Sequence, residues 1–472
     1  MATTREQFGS RLGFILAAAG SAVGIGNLVG FPVNAAKNGG AAFLLLYAIF
    51  IVLICLPVMM AELSAGRNSR KNPLGAYQHF SQNNPLWSIG GWLALVTPYM
   101  IAVFYSVITL WVLGYLFAII GGDLEALTNP DYFGNFINSP LVFVYLALIA
   151  GLVGIILHFG VKEGIERGAK IMMPALFIML LGLVIFVLTR DNAMLGVKYY
   201  LIPDISKINA QVINGAMAQA FFSLSLGMGI MITYGSYMDR ENSIPGSAKM
   251  VALADTGVAF TAGLLVLPAI FSFNPDTNPA DLSDSSVSLI FTFLPKIFLA
   301  MQASVGYWGA SLVASVFFLL VFFAALTSLV SIIEVPVSGV MDQKGYSRNR
   351  ALAAVGLTMV LIALACAVSF GIVDFLTHFL SYGGGERSFF DLVYDVFYET
   401  ILPLNGFMIC LLVIYRWKKA GMNEELEHGA PDFKGSLLER YSNFALSTFV
   451  PVILLFVFIN TVLNKFFEMS LI

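Results

Sequence analysis

Charged residues are what this sequence has least of. Asp, Glu, Lys and Arg make up 11% of its 472 residues, whereas 58% are hydrophobic and the mean hydropathy is +0.84. A soluble domain carries about 25% charged residues. The formal net charge is -3 and no basic run occurs, so we expect no nucleic-acid partner. The composition predicts an all-α polytopic membrane protein in contact with the lipid bilayer.

Cysteine and histidine are also scarce. Cys55, Cys366 and Cys410 are isolated in apolar segments, no CxxC occurs, and the four histidines lie far apart in the sequence. This pattern argues against a disulfide framework, a metal cluster or a haem. Neither a nucleophile–base pair nor a pore-like filter is evident, which argues against an enzyme or a channel. The first apolar segment is too long for a cleavable signal peptide.

Long apolar segments dominate the chain, and a spanning helix needs about 20 apolar residues. Most of the Lys and Arg residues fall in one alternating set of loops. The positive-inside rule then predicts a cytoplasmic N-terminus and, after eleven spans, a C-terminus outside the cell membrane. We predict a single transporter domain over residues 1–472 with spans at roughly 12–36, 41–65, 88–120, 140–158, 165–189, 209–238, 246–273, 306–341, 350–372, 388–415 and 441–468.

Two of these spans are interrupted by glycine. Each interior Gly costs a helix about 1 kcal/mol relative to Ala. A lone glycine cluster is explained well by close helix packing. Two clusters at corresponding places in two five-helix halves instead predict broken helices that line a binding site, where freed carbonyls hold a cation. The halves are 12–189 and 209–415, the eleventh helix is 441–468, and the breaks lie at Gly20, Ser21, Gly24, Gly26 and Asn27 and at 223–229.

Three acids lie within apolar spans, where a carboxylate is costly and functional by default. For Asp255 we expect a binding or charge-compensating role. Glu62 is either a structural acceptor near the first break or a direct participant. Glu334 is either a relay or a structural acceptor. The outer stretch 274–305 is acidic and then amphipathic, which fits either a hairpin of short helices or an ordinary surface loop.

Five ordered motifs carry a family resemblance. The chain resembles the neurotransmitter:sodium symporter family in the motifs RLGFILAAAGSAVGIGN, FPVNAAKNGGAAF, PVMMAELSAGR, FFSLSLGMGIMITYGSY and FFAALTS. The predicted number of eleven spans resembles that of the bacterial branch of this family. The resemblance implies the leucine-transporter fold: a 5+5 inverted repeat with broken helices 1 and 6, plus an eleventh helix. It implies sodium-coupled import of a neutral, hydrophobic amino acid by alternating access. The alternative is a proton-coupled amine or nucleobase transporter of similar fold.

The resemblance also implies specific site residues. The first of two sodium sites would use Ala22, Asn27, Ser223 and Asp255. The second would use Gly20, Val23, Ala324, Thr327 and Ser328, and the adjacent hydroxyls of its last two residues favour sodium over proton coupling. Alone, that hydroxyl pair is also explained by hydrogen bonding back onto its own helix. The substrate would contact Ser21, Ala22, Gly24, Gly26, Ile101, Tyr105, Phe222, Ser223, Ser225, Met228, Ser328 and Ile332, with Phe222 and Tyr105 forming a thin outer lid.

The gates match the family only in part. The inner gate would pair Arg5 with Asp342, supported by Tyr237. The outer gate departs from the family, because Gly30 stands where an Arg or Lys is usual. The acidic partner in span ten is ambiguous among Asp391, Tyr394 and Asp395, and Arg387 is a candidate substitute for the missing cation.

The internal acid predicts ion requirements. Many relatives have Asn at the position of Asp255, and chloride-dependent ones hold an anion near Tyr47, Gln219 and Ser223. The resemblance therefore implies chloride-independent transport, in which the Asp255 carboxylate takes the place of the anion. Asp255 is also a candidate to accept a proton on the return step of the cycle. The sequence indicates no oligomeric state.

Overall fold

The computed structural model describes residues 5–273 and 289–469. Within these residues, nine helical segments are long and apolar enough to cross a membrane. They lie at the positions of nine of the eleven predicted spans. The other two, spans one and six, are each divided into two helices. The bounds of the nine segments are Ala41–Ser69, Pro85–Ile120, Leu141–His158, Val161–Leu188, Ile244–Ser272, Gln302–Lys344, Arg348–Ala367, Phe389–Glu427 and Phe449–Phe467.

Spans one and six are the interrupted ones. Span one consists of Arg11–Ala22 and Gly26–Lys37, which meet at an angle of 57°. Span six consists of Ala210–Ser223 and Ile230–Ser236, with non-helical residues between them. The break in span six needs left-handed backbone, with φ of +53° at Ser225, +75° at Gly227 and +67° at Gly229. Two of these three positions carry glycine, the residue that adopts this conformation without strain.

Spans three and eight form the centre of the bundle. In the most apolar 18-residue stretch of each span, 72% of the residues are buried in span three and 83% in span eight, compared with 28% in span four and 17% in span eleven. Trp111 and Tyr115 of span three pack edge-on against Phe291. Spans three and eight are therefore the most buried of the nine described spans.

Several boundaries differ from the sequence predictions. The eleventh span does not begin at 441: a helix over Leu437–Ser447 ends, and a second begins at Phe449, because Thr448 has non-helical dihedrals. Span nine ends at Ala367 rather than near 372. The loop that follows it contains a small antiparallel hairpin, Leu380–Tyr382 with Gly385–Arg387. Of the outer stretch 274–305, expected to be either a hairpin of short helices or a surface loop, residues 274–288 lie outside the described residues, and Leu294–Ala300 is helical.

The inner half of span six locks against span two through two glycines. A Cβ added at Gly66 would lie 1.8 Å from the backbone oxygen of Ile232, and one added at Gly235 would lie 2.3 Å from that of Leu63. Each glycine thus makes room for the backbone of the facing helix. Such close approach is how membrane helices gain packing energy without a hydrophobic driving force.

The linker between spans ten and eleven is folded onto the bundle. Its helix Lys418–Glu427 places the Glu425 carboxylate 2.5 Å from the guanidinium of Arg67 at the end of span two. Arg67 also donates to the backbone oxygens of Asn242 and His428, and both members of the ion pair are buried. The linker is therefore a docked element that ties span two to the loop after span six.

Candidate functional site

A single central cavity lies where the two broken spans face spans three and eight. All twelve residues that the sequence predicts as substrate contacts line it, together with Asn27, Gln219 and Tyr398. No Lys, Arg, Asp or Glu is among these described lining residues. The free volume is about 50 Å³, and the hydroxyl of Ser21, 2% exposed, has no hydrogen-bond partner among the described residues.

Gly24 is required where span one meets spans three and eight. A Cβ at this position would lie 2.9 Å from the hydroxyl of Tyr105 and 3.0 Å from that of Ser328. The absence of a side chain lets both hydroxyls reach the broken backbone, and the Ile25 N–H donates to Tyr105 at 3.2 Å. The first break is thereby surrounded by hydroxyl groups.

Backbone oxygens of span one converge on span eight. The Ser328 hydroxyl lies 3.3, 3.1 and 3.3 Å from the carbonyl oxygens of Gly20, Ser21 and Val23. The neighbouring Thr327 hydroxyl donates within its own helix, to the carbonyls of Phe323 at 3.0 Å and Ala324 at 3.1 Å. One hydroxyl proton satisfies only one acceptor well. Carbonyl oxygens therefore remain here without a full hydrogen-bond donor, and hard, neutral oxygens of this kind are suitable ligands for an alkali cation.

Asp255 is the centre of a buried hydrogen-bond cluster. Its Oδ1 accepts from the Asn27 amide at 2.7 Å, and its Oδ2 accepts from Ser223 at 2.7 Å and Tyr47 at 3.0 Å. Asn27 also accepts from the Gly24 N–H at 3.2 Å. Asp255 itself is fully buried and is not among the cavity-lining residues. The structure thus places the carboxylate one hydrogen bond behind Asn27 and Ser223, which do line the cavity.

Aromatic side chains border the central cavity on the side of the predicted lid. Phe222 stacks on Tyr398 of span ten, with ring centroids 5.0 Å apart. Tyr398 and Tyr105 line both the central cavity and a larger outer vestibule of about 440 Å³. Tyr105, predicted to form the lid together with Phe222, lies on the wall common to both cavities. Aromatic rings from three regions therefore separate the two spaces.

The break in span six is held by two polar side chains. The Gly227 N–H donates to Glu62 at 2.9 Å, and the Gly227 carbonyl accepts from Asn405 at 2.8 Å. The second amide contact of Asn405 is the Thr97 hydroxyl at 3.1 Å. Of the two roles considered from sequence, the structural one placed Glu62 near the first break; among the described residues its hydrogen bond is instead to the second break, at Gly227. Spans two and ten therefore satisfy the hydrogen-bonding groups of the Gly227 peptide, and span three contacts the Asn405 side chain that does so.

The predicted inner-gate residues are brought together on the opposite side. Arg5 lies 2.5 Å from Asp342 and stacks over the ring of Tyr237 at 4.7 Å. Arg5 also donates to the Ser236 hydroxyl at 2.7 Å. The Asp342 carboxylate accepts from both the backbone and the side chain of Asn72 at 2.9 Å. These contacts close the face that carries the N-terminal residues.

Glu334 lies in an ion cluster beside this gate. Arg348 donates to both of its carboxylate oxygens at 2.9 and 2.8 Å, and the Tyr237 hydroxyl donates at 2.6 Å. Arg348 also pairs with Glu6 at 3.0 Å. Of the two roles considered from sequence, these contacts favour the structural acceptor.

The outer acids are engaged differently from the family pattern. Asp391 caps its helix by accepting from Ser388, and it lines the vestibule. Asp395 contacts Lys465 of the last helix at 3.2 Å. The guanidinium of Arg387 lies 5.7 Å from the ring centroid of Tyr382, and among the described residues it forms no ion pair with an acid of span ten. Among the described residues, the cation that forms ion pairs with acids of span ten is Lys465, which the sequence reasoning missed.

Two interrupted helices place carbonyls and hydroxyls around a buried cavity. This cavity lies between a vestibule on one side and the contacts of Arg5 and Asp342 on the other, an arrangement that defines a secondary transport protein of the membrane. Comparison with known proteins gives the family. The model of the sodium:neurotransmitter symporter family matches residues 5–129 and 136–469, and the chain belongs to this family. The protein is accordingly a sodium-dependent, multi-pass membrane symporter and not an enzyme.

Relatives and solved structures agree with this assignment. The chain is 32% identical to an uncharacterized sodium-dependent transporter of Bacillus subtilis, YhdH, over 97% of each chain. It is 26% identical to the sodium- and chloride-dependent taurine transporter of Rattus norvegicus, over 78% of this chain and 64% of that one. The crystal structure of MhsT in complex with L-phenylalanine superposes with a TM-score of 0.83 at 36% identity, covering 96% of this chain and 99% of MhsT. The chain thus has the leucine-transporter fold.

Proposed function

We propose that this protein imports a neutral, hydrophobic amino acid together with sodium by alternating access. The observation that carries the proposal is the central cavity, which lies at two helix breaks and has no ionised side chain among its described lining residues. A zwitterion placed there must have both of its charges met by backbone groups and bound ions. An apolar or singly charged solute would not need that arrangement.

The polar and apolar parts of the cavity fit the two parts of an amino acid. Amides near Gly24 and Gly26 at the start of the second half-helix suit a carboxylate, because helix N-termini favour anions. Carbonyls of Ala22 and Phe222 suit an ammonium group. Apolar walls then remain for the side chain, supplied by Ile101, Met228 and Ile332. Met at one wall adapts to side chains of different shape.

Two sodium sites are part of the proposal. The first comprises Ala22, Asn27 and Ser223, with Asp255 compensating the charge and holding the two side-chain ligands in place. The second comprises the carbonyls of Gly20, Val23 and Ala324 with the hydroxyls of Thr327 and Ser328. The substrate carboxylate would complete the first site, so ion and substrate would bind together and their fluxes would be coupled.

The inner gate and the orientation follow from the same scheme. Arg5 and Asp342 would separate when the cavity opens to the cytoplasm, where the positive-inside rule places the N-terminus. The pair is 17% and 24% exposed, so its strength is limited by solvent screening. Its function in the cycle would be to open at modest cost once substrate and ions have bound.

A thermal-shift screen tests substrate and coupling at once. Purified protein is heated with each of the twenty amino acids, in sodium and in choline. We expect a medium-to-large neutral amino acid to raise the Tm by several degrees in sodium only, because a ligand at about 100 Kd stabilises the bound state by about 2.7 kcal/mol. Stabilisation by a charged amino acid alone would contradict the proposed substrate class.

Sodium replacement separates this proposal from proton-coupled transport of an amine or nucleobase. Uptake into proteoliposomes is measured with sodium replaced by choline, at fixed pH and with an imposed proton gradient. The converging oxygens at Ser328 lead us to expect that uptake falls to background. Uptake that persists in choline and follows the proton gradient would favour the alternative.

A further inference from the structure

An ion cluster joins the last helix to the outer half of span ten. The ammonium of Lys465 lies 2.6 Å from the Glu399 carboxylate and 3.2 Å from that of Asp395. Asp395 also accepts from the hydroxyl of Tyr382 in the outer hairpin at 2.9 Å. We call these four residues the outer clasp. It joins three separate segments: the hairpin, span ten and the eleventh helix.

The hairpin is seated tightly on the end of the eleventh helix. Its turn uses Gly383 and Gly384, both with positive φ. A Cβ at Gly383 would lie 2.3 Å from the backbone oxygen of Lys465. The rings of Tyr382 and Phe466 lie 5.0 Å apart. The backbone that presents Lys465 is thus fixed by direct contact.

The clasp is adjacent in sequence to the lid of the central cavity. Glu399 follows Tyr398 directly, and Tyr398 carries the ring that stacks on Phe222. Both residues lie in the π-helical segment Tyr394–Thr400, and both line the outer vestibule. A π-helical turn is less regular than an α-helix and is frequently found at functional sites. The position of the lid ring therefore depends on what holds this turn in place.

Electrostatics give Lys465 a specific role in holding it. Asp395 and Glu399 are four residues apart, and their side chains are 7% and 26% exposed. Without a cation between them, two nearby carboxylates of like charge would repel in a poorly solvated setting. Lys465 is 34% exposed, so its contribution is smaller than that of a buried ion pair.

We propose that Lys465 is a positioning residue for the outer lid. By pairing with both Asp395 and Glu399 it ties the Tyr394–Thr400 turn to the eleventh helix, and so keeps Tyr398 stacked on Phe222 over the cavity. The eleventh helix, which lies outside the two predicted five-helix halves, thereby acts on access to the site. This gives the chain an outer cation although Gly30 stands at the usual position.

The test measures access through the lid without any amino acid present, so it does not depend on which substrate is transported. Ile332 lies in the central cavity, and Ile332→Cys provides a thiol there. The three native cysteines are buried. A membrane-impermeant thiol reagent is added outside cells in sodium medium. In the Ile332→Cys background, we expect Lys465→Gln to make the labelling of the thiol about tenfold faster. A tenfold change corresponds to a shift of about 1.4 kcal/mol in the equilibrium between the closed and open lid.

Two matched variants sharpen the result. Lys465→Arg keeps the charge and should label at the background rate. Lys296→Gln removes an exposed lysine from Leu294–Ala300, away from the clasp, and should also leave the rate unchanged. Lys465→Gln labelling at the background rate, or Lys465→Arg labelling as fast as Lys465→Gln, would overturn the proposal.

A second route covers loss of folding in the first variant. If Lys465→Gln does not give a monodisperse protein, Glu399→Gln removes the other half of the shorter ion pair while Asp395 still faces Lys465. We expect faster labelling of Ile332→Cys in this variant as well, because the shorter ion pair that ties the turn to the eleventh helix is lost. An unchanged labelling rate in folded Glu399→Gln would contradict the proposal.

Discussion

Replacing Gly66 with valine is expected to prevent stable folding. Even the first added carbon would lie 1.8 Å from the backbone oxygen of Ile232, and no rotamer change relieves a clash with backbone. Overpacking a core usually costs about 1–3 kcal/mol, and displacing two locked helices should cost at least the upper end of that range. The measurements are the size-exclusion profile and the Tm of the purified variant.

Gly182→Val is the matched control for this prediction. Gly182 lies in span five at an exposed position, and a Cβ there meets no atom within 4 Å. The control should elute as a single species with a Tm close to that of the unmodified protein. If Gly66→Val behaved like the control, the interlock between spans two and six would not be as tight as its geometry indicates.

Replacing Asp255 with asparagine is expected to make transport depend on chloride. The substitution removes the fixed negative charge but keeps the shape of the side chain. The hydroxyls of Tyr47 and Ser223 would then lose the anionic acceptor that they now share. Hydrogen bonds to charged groups contribute about 1.5–3 kcal/mol each, so uptake in gluconate should fall by about tenfold or more.

Chloride should restore much of this loss, since the same two hydroxyls are free to donate to a bound anion. The unmodified protein provides the comparison, because its uptake should be equal in chloride and gluconate. Strong chloride dependence of the unmodified protein would contradict the role given to Asp255. So would an Asp255→Asn variant whose residual uptake ignores chloride.

The sequence predicted the fold and the breaks because their causes are local. Glycine at 20, 24 and 26, and again at 227 and 229, weakens a helix wherever the chain is placed. An acid such as Asp255 in an apolar run stands out for a similar reason. The family of the chain and its sodium-dependent transport are confirmed by the comparisons, whereas the individual site residues remain predictions.

What sequence reasoning missed depends on contacts between distant segments. Tyr398 is one of several aromatic residues in span ten, and only the fold shows that it is the one that stacks on Phe222. Asn405 meets Gly227 across 178 positions. Lys465 gave no signal, since a lone lysine at a span end is typical of a membrane interface. The start of the eleventh helix was wrong because hydropathy does not register the kink at Thr448.

The buried contact between Arg67 and Glu425 has a consequence for synthesis. The two residues are 358 positions apart, so most of the chain is made before Arg67 meets its partner. Until then the guanidinium must remain in water or at the lipid headgroups, because an unpaired charge is not stable in the interior. The inner end of span two can therefore assume its final depth only late in translation. Completion of the chain is coupled in this way to the docking of one of its earliest helices.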